Sequence, residues 1–266
     1  MSVPTVCCWH LYQKIDSQGD EIAFVSRVPE RSMAWNTNTD IYIVKADGSS
    51  VPQPISSYNK GYDMHPKYSP DGSFIAWLQM PTPQYEADRN RIALYARGLK
   101  SLSLLDSEEW DRSPESITWT NDHLVISAQE IGRVKLFTVS FEGIVLPLIE
   151  DGHNNQASYV PGFGLVFVKS SLTSPADIFT IADKDAKLVQ QTRLNDAYTK
   201  EIGMSQPEEF WFRGARERDV HGWLLKPFGF EEGKTYPLAF LIHGGPEGAW
   251  NDEWGLRYEC LICSHF

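Results

Sequence analysis

Tyr62-Asp63-Met64-His65-Pro66-Lys67-Tyr68-Ser69-Pro70-Asp71-Gly72-Ser73-Phe74-Ile75-Ala76-Trp77 holds a turn with a mechanism at its centre. Pro70 presets φ, Asp71 can bond its own backbone, and Gly72 accepts the left-handed conformation. Aromatic and β-branched residues flank the turn, so the strands on either side are expected to pair as a hairpin.

Outward from this hairpin the same pattern recurs. Strands are expected at 20–25, 73–78, 123–127 and 164–168, each followed by a second strand, at 40–44, 91–95, 135–139 and 177–181. Successive first strands begin about 40 to 50 residues apart, the period of propeller blades built from four strands. Weaker copies of the opening pattern lie at 116–122 and 157–162, and helical periodicity is nearly absent. The fold class is therefore mostly β, a partial β-propeller with about four blades in view. Trp77, Trp119 and Trp211 occupy strand positions expected to face inward, and His65 reads as a structural turn residue.

Composition limits the function classes. The chain has 266 residues, 42% hydrophobic and 12% aromatic, as globular proteins do. A net charge of −11 and the lack of a basic stripe argue against a nucleic-acid partner. No segment approaches the roughly 20 apolar residues of a membrane span, and residues 1–9 show no basic leader with an apolar stretch behind it. Cys260-x-x-Cys263 with His265 is half of a metal-binding pattern, and no second ligand pair accompanies it, so no metal is expected.

Residues 184–204 are polar and read as a blade exit and linker, after which the pattern changes. Glu209-Phe210-Trp211-Phe212, a charged turn and Val220-His221-Gly222-Trp223-Leu224-Leu225 make an antiparallel hairpin. Then Tyr236-Pro237-Leu238-Ala239-Phe240-Leu241-Ile242-His243-Gly244-Gly245-Pro246 places a short apolar run before a Gly-Gly turn. The run reads as a strand buried on both faces, as in a parallel sheet. A buried strand that delivers a Gly-Gly loop is where α/β hydrolases place part of an oxyanion hole.

These residues resemble a family. Trp223-Leu224-Leu225-Lys226-Pro227, a loop and the 236–246 stretch are similar to the entry of the catalytic domain in the prolyl oligopeptidase family of serine peptidases. Gln84-Tyr85-Glu86-Ala87-Asp88, Ser116-Ile117-Thr118-Trp119, Gly132-Arg133-Val134-Lys135-Leu136 and Gly244-Gly245-Pro246-Glu247-Gly248-Ala249-Trp250 point to its fungal dipeptidyl-peptidase V and acylaminoacyl-peptidase-like members. The resemblance runs from about residue 20 to residue 258. It implies an incomplete propeller over 1–205 and the first strands of an α/β hydrolase domain over 206–266. It also implies a peptide substrate, acyl-enzyme chemistry from a Ser–Asp–His triad, and no metal or organic cofactor. The fungal dipeptidyl-peptidase V members that it resembles are secreted, which leaves the location of this chain open.

No Gly-x-Ser-x-Gly occurs anywhere in the sequence. The expectation is that nucleophile, acid and base lie beyond residue 266, that the chain is truncated, and that it is inactive alone. Residues 1–10 and 259–266 depart from the family pattern. A non-catalytic propeller serving as a binding scaffold is the alternative.

The loop His243, Gly244 and Gly245 is the candidate oxyanion loop, with the Gly245 N–H as donor; a glycine serving only a tight strand exit is the plainer reading. Glu86 is the candidate anchor for a substrate's free amino terminus, against a solvated carboxylate pairing with Arg89 or Arg91.

Overall fold

A computed structural model describes residues 13–27, 31–183, 186–202, 204–245 and 248–255. The chain divides into two compact units, one of residues 1–128 with 136–148, the other of 129–135 with 149–266.

In the first unit, β1 (Gln13–Ile15), β2 (Glu21–Ser26), β3 (Asp40–Lys45) and β4 (Gln53–Pro54) form an antiparallel sheet in chain order. The next, again in chain order and antiparallel, contains β5 (Tyr62–Tyr68), β6 (Phe74–Met80), β7 (Arg91–Ala96) and β8 (Ser101–Leu104). A third group follows as β9 (Pro114–Trp119), β10 (Leu124–Gln129), β11 (Val134–Val139) and β12 (Val145–Ile149), neighbours again in chain order, with Gln129, Val134, Lys135 and Ile149 counted in the second unit.

The hairpin expected at the Ser-Pro-Asp-Gly turn forms between β5 and β6. Gly72 N–H donates to Ser69 O at 2.9 Å with Gly72 at φ 72°, and Asp71 Oδ1 accepts from the Ser73 N–H at 3.0 Å. Because side chains alternate along a strand, β6 sends its residues into two cores. Ile75 and Trp77 pack with Ile41 and Ala93, while Ala76 and Leu78 join Ile92, Ile117, Trp119, Ile126 and Phe137. A strand buried on both faces this way is what stacked blades require.

Polar ties reinforce the stacking. Trp119 Nε1 donates from β9 to Lys67 O of β5 at 2.9 Å, while Trp77 Nε1 donates to Asp63 Oδ1 at 2.8 Å within the second sheet. Arg97 bonds Glu21 at 2.8 Å and lies over the Tyr68 ring, joining the first sheet to the second.

The second unit continues the pattern with β13 (His153–Val160), β14 (Gly164–Ser171), β15 (Ser174–Ala182) and β16 (Leu188–Gln190), antiparallel in chain order. Within this unit Val134 pairs in parallel with His153. A short helix α1 (Asp196–Glu201) precedes the hairpin of β17 (Glu208–Arg213) and β18 (Asp219–Leu224), which is a separate two-stranded sheet.

Three expectations need correction. The 184–204 stretch is more than a linker, since it holds β16 and α1. Trp211 is 52% exposed, because β17 has only β18 beside it among the described strands; Trp77 and Trp119 are buried as expected. The apolar run 237–242 forms no strand. Leu238, Phe240 and Ile242 are 81%, 71% and 75% exposed, as follows where no described strand lies beside the segment to accept its hydrogen bonds. The Cys260-x-x-Cys263 pattern lies outside the described residues.

Candidate functional site

The sequence-derived candidates fall in separate units. Glu86 is in the first, and His243, Gly244 and Gly245 are in the second.

Glu86 sits in the loop between β6 and β7, and the loop is tied down around it. Gln84 N–H donates to Thr37 Oγ1 at 3.0 Å, with Gln84 in the left-handed region at φ 62°. Thr82 N–H donates to Asp88 Oδ2 at 2.8 Å, and Asp88 N–H to Tyr85 O at 3.1 Å. Glu86 itself is exposed and makes no hydrogen bond or ion pair among the described residues.

The expected pairing of Glu86 with Arg89 or Arg91 is not what forms. Arg91 Nε meets Asp106 Oδ2 at 2.5 Å and also pairs with Glu108, while Arg89 lies 3.3 Å from Asp106 and 3.4 Å from Glu108. The reason is burial. Asp106 has no exposed side-chain surface, so a cation nearby lowers its free energy far more than that of a solvated carboxylate. Glu86 is left without an ion partner among the described residues, on an anchored loop.

The Gly-Gly turn has the backbone its sequence demands. Gly245 adopts φ 139°, a conformation that strains an L side chain, and Gly244 does not use positive φ. His243 Nδ1 lies 2.9 Å from Gly244 O, so the imidazole is engaged with its own turn. Among the described residues the Gly244 and Gly245 N–H groups bond to nothing, and the turn is exposed. Two free N–H groups on a glycine turn can donate to an anionic oxygen.

A third cluster, which sequence reasoning used only as a motif, surrounds the Ile131-Gly132 turn. Arg133 lies over the Trp223 ring at 4.9 Å and pairs with Glu209, and Glu209 lies 3.2 Å from His221 Nε2. The Arg133 hydrogen bond holds the Glu209 carboxyl below its ordinary range. Gly132, at φ 63°, is packed so closely that a side chain would meet Trp223 Nε1 at 2.8 Å and His221 Cε1 at 2.9 Å. The available signal was the alternation His221-x-Trp223 opposite Glu209-x-Trp211 on a hairpin, which puts all four on one face. Among the described residues no group of three His, Cys, Asp or Glu is placed to hold a metal, and no helix is long and apolar enough to cross a membrane.

Comparison with known proteins places these features. No protein-family model matches the chain. Dipeptidyl-peptidase 5 of Arthroderma otae is 36% identical over 261 residues, covering 92% of this chain and 36% of that protein. Dipeptidyl-peptidase 5 of Trichophyton equinum is 34% identical over 262 residues, with the same coverage. The chain thus spans 36% of the length of the curated relatives it matches.

Among solved structures, the Pyrococcus horikoshii acylaminoacyl peptidase aligns with a TM-score of 0.72 at 21% identity, over 92% of this chain and 37% of that one. A puromycin-hydrolyzing peptidase of Mycobacterium tuberculosis gives 0.65 at 18% identity, over 94% and 40%. At such identities these structures speak for the fold alone. The resemblance to dipeptidyl-peptidase 5 and to peptidases of the prolyl oligopeptidase family holds over nearly the whole chain.

Proposed function

We propose that these residues are part of a serine exopeptidase of the dipeptidyl-peptidase type, with residues 1–205 an incomplete propeller and 206–266 the start of an α/β hydrolase domain. The observation that carries the reading is the 36% identity to dipeptidyl-peptidase 5 over 92% of the chain. The separate hairpin of β17 and β18, following α1, supports a change of domain there.

In this reading a serine outside residues 1–266 attacks the scissile carbonyl and forms an acyl-enzyme, which water then hydrolyses. The Gly245 N–H donates to the oxyanion of the tetrahedral intermediate, a contribution of about 3–4 kcal/mol to the transition state for one donor. Its support is a free donor on a turn with φ 139°. Glu86 accepts hydrogen bonds from the substrate's free ammonium group. Its support is an unpaired carboxylate on a loop held by Thr37 and Asp88. His243 shapes the turn and carries no proton in the reaction.

The test has two parts. The 266-residue chain, purified, shows no turnover of a dipeptidyl-nitroanilide above background, and turnover sensitive to a serine-protease inhibitor overturns the missing triad. The product of the full reading frame cleaves the same substrate. There Glu86→Gln raises KM about tenfold or more for free-amine dipeptides and spares their N-acylated forms, a loss that matches one charge-assisted contact. Equal loss on both substrates removes Glu86 from the site.

A further inference from the structure

The chain just beyond the Gly-Gly turn is stapled at three points, all within the second unit. The Asp252 N–H donates to Gly132 O at 2.6 Å. Asp252 Oδ1 accepts from the Leu172 N–H at 2.8 Å. Trp250 O accepts from Trp223 Nε1 at 3.1 Å.

The two turns that Asp252 joins are stiff. Ile131 and Gly132 both take positive φ, 48° and 63°, in a two-residue turn closed by reciprocal bonds between Glu130 and Arg133. Leu172 sits in the turn of β14 and β15, strands paired from Gly164 with Ala182 to Ser171 with Ser174. On the other side of the Gly-Gly turn, 237–242 has no strand partner among the described residues and its side chains are exposed. The chain also folds back closely after the turn: a side chain on Gly248 would lie 3.4 Å from Gly244 O. A turn held from one side only takes its order from that side.

We propose that Asp252 is a positioning residue, whose backbone and carboxylate together fix the Gly244-Gly245 turn from its C-terminal flank. Its importance for catalysis rests on the reading of that turn as the oxyanion loop. The anchoring itself does not.

Glycine-selective ¹⁵N relaxation on the 266-residue chain tests it. In the unsubstituted chain Gly244, Gly245 and Gly248 have order parameters near those of the folded backbone, about 0.85. In Asp252→Ala they fall below about 0.6, while Gly162 in the β13–β14 turn and Gly72 in the first unit keep theirs. Asp252→Asn retains the carbonyl acceptor for Leu172 and restores the order. The inference is overturned by low order in the unsubstituted chain, by unchanged glycines in Asp252→Ala, or by Gly162 loosening equally. Because loop order is measured and not hydrolysis, failure of the peptidase reading shows in the turnover assay and failure of the anchor shows here.

Discussion

Asp63 has no solvent access, and its Oδ2 finds no hydrogen-bond partner among the described residues. Burial pushes its pKa up, and bonds from Trp77, Ser56 and Asn59 offset that only in part, leaving it at about 7. In the unfolded chain the same carboxyl titrates near 3.8. Between those values the folded state keeps a proton that the unfolded state has lost. The stability this group contributes is therefore present below about pH 4, declines as pH rises, and is gone above the folded pKa, a swing on the order of a few kcal/mol. Asp63→Asn keeps an acceptor for Trp77 Nε1 and cannot ionise. In urea titrations at pH 5 and pH 8 the variant should lose less stability than the parent across that interval, and a gap independent of pH would show that Asp63 does not titrate there. Gly132 offers a second test. Alanine there adds backbone strain at φ 63° to a contact 2.8 Å from Trp223 Nε1. It should cost about 1–3 kcal/mol in urea unfolding, and a neutral result would mean that the hairpin does not close on the 131–132 turn.

At the scale of the element, the first two sheets owe their alignment to a few buried charges as well as to apolar packing. Arg97 reaches Glu21 at 2.8 Å, Gly72 O at 2.6 Å and the Tyr68 ring, so one side chain ties the first sheet to the second. Removing it leaves Glu21, which is 9% exposed, without its cation. Arg97→Ala should therefore destabilise the first unit by about 3 kcal/mol, and Arg97→Lys should recover only part because it loses the forked geometry. Thermal melts of the three proteins check this; equal melting temperatures would refute it. The same scale shows what could be read beforehand. Strands β2, β3, β6, β7, β10 and β11 are apolar and bounded by turn residues, and their boundaries emerge nearly as expected, while β14 and β15 each run three residues further toward their shared turn. β16 is three residues with an exposed face, and α1 has six residues, no side-chain cap bond and no buried residue. Neither has a periodicity long enough to detect: β16 is set by its pairing with β15, and α1 is barely a turn and a half long.

At the scale of the whole molecule, the stretch 236–245 shows where local pattern ends and context begins. Pro237-Leu238-Ala239-Phe240-Leu241-Ile242 has the composition of a buried strand, and the glycine demand of the following turn was legible too, since Gly245 does take φ 139°. Whether such a run is buried depends on what lies beside it, and composition says nothing of that. Here Leu238, Phe240, Leu241 and Ile242 are all exposed. An extended apolar run with open backbone donors and acceptors is a site of self-association. Leu238→Lys with Phe240→Lys should therefore reduce association, followed by light scattering as a function of concentration. The unfolding free energy of the same variant should change by no more than about 0.5 kcal/mol, as exposed substitutions do. A buried strand would respond in the opposite way, losing about 2–5 kcal/mol for each large apolar side chain removed from a core. The two readouts move in different directions for the two arrangements. Lysines that improve solubility without cost place the run in solvent, and lysines that unfold the second unit return it to a sheet.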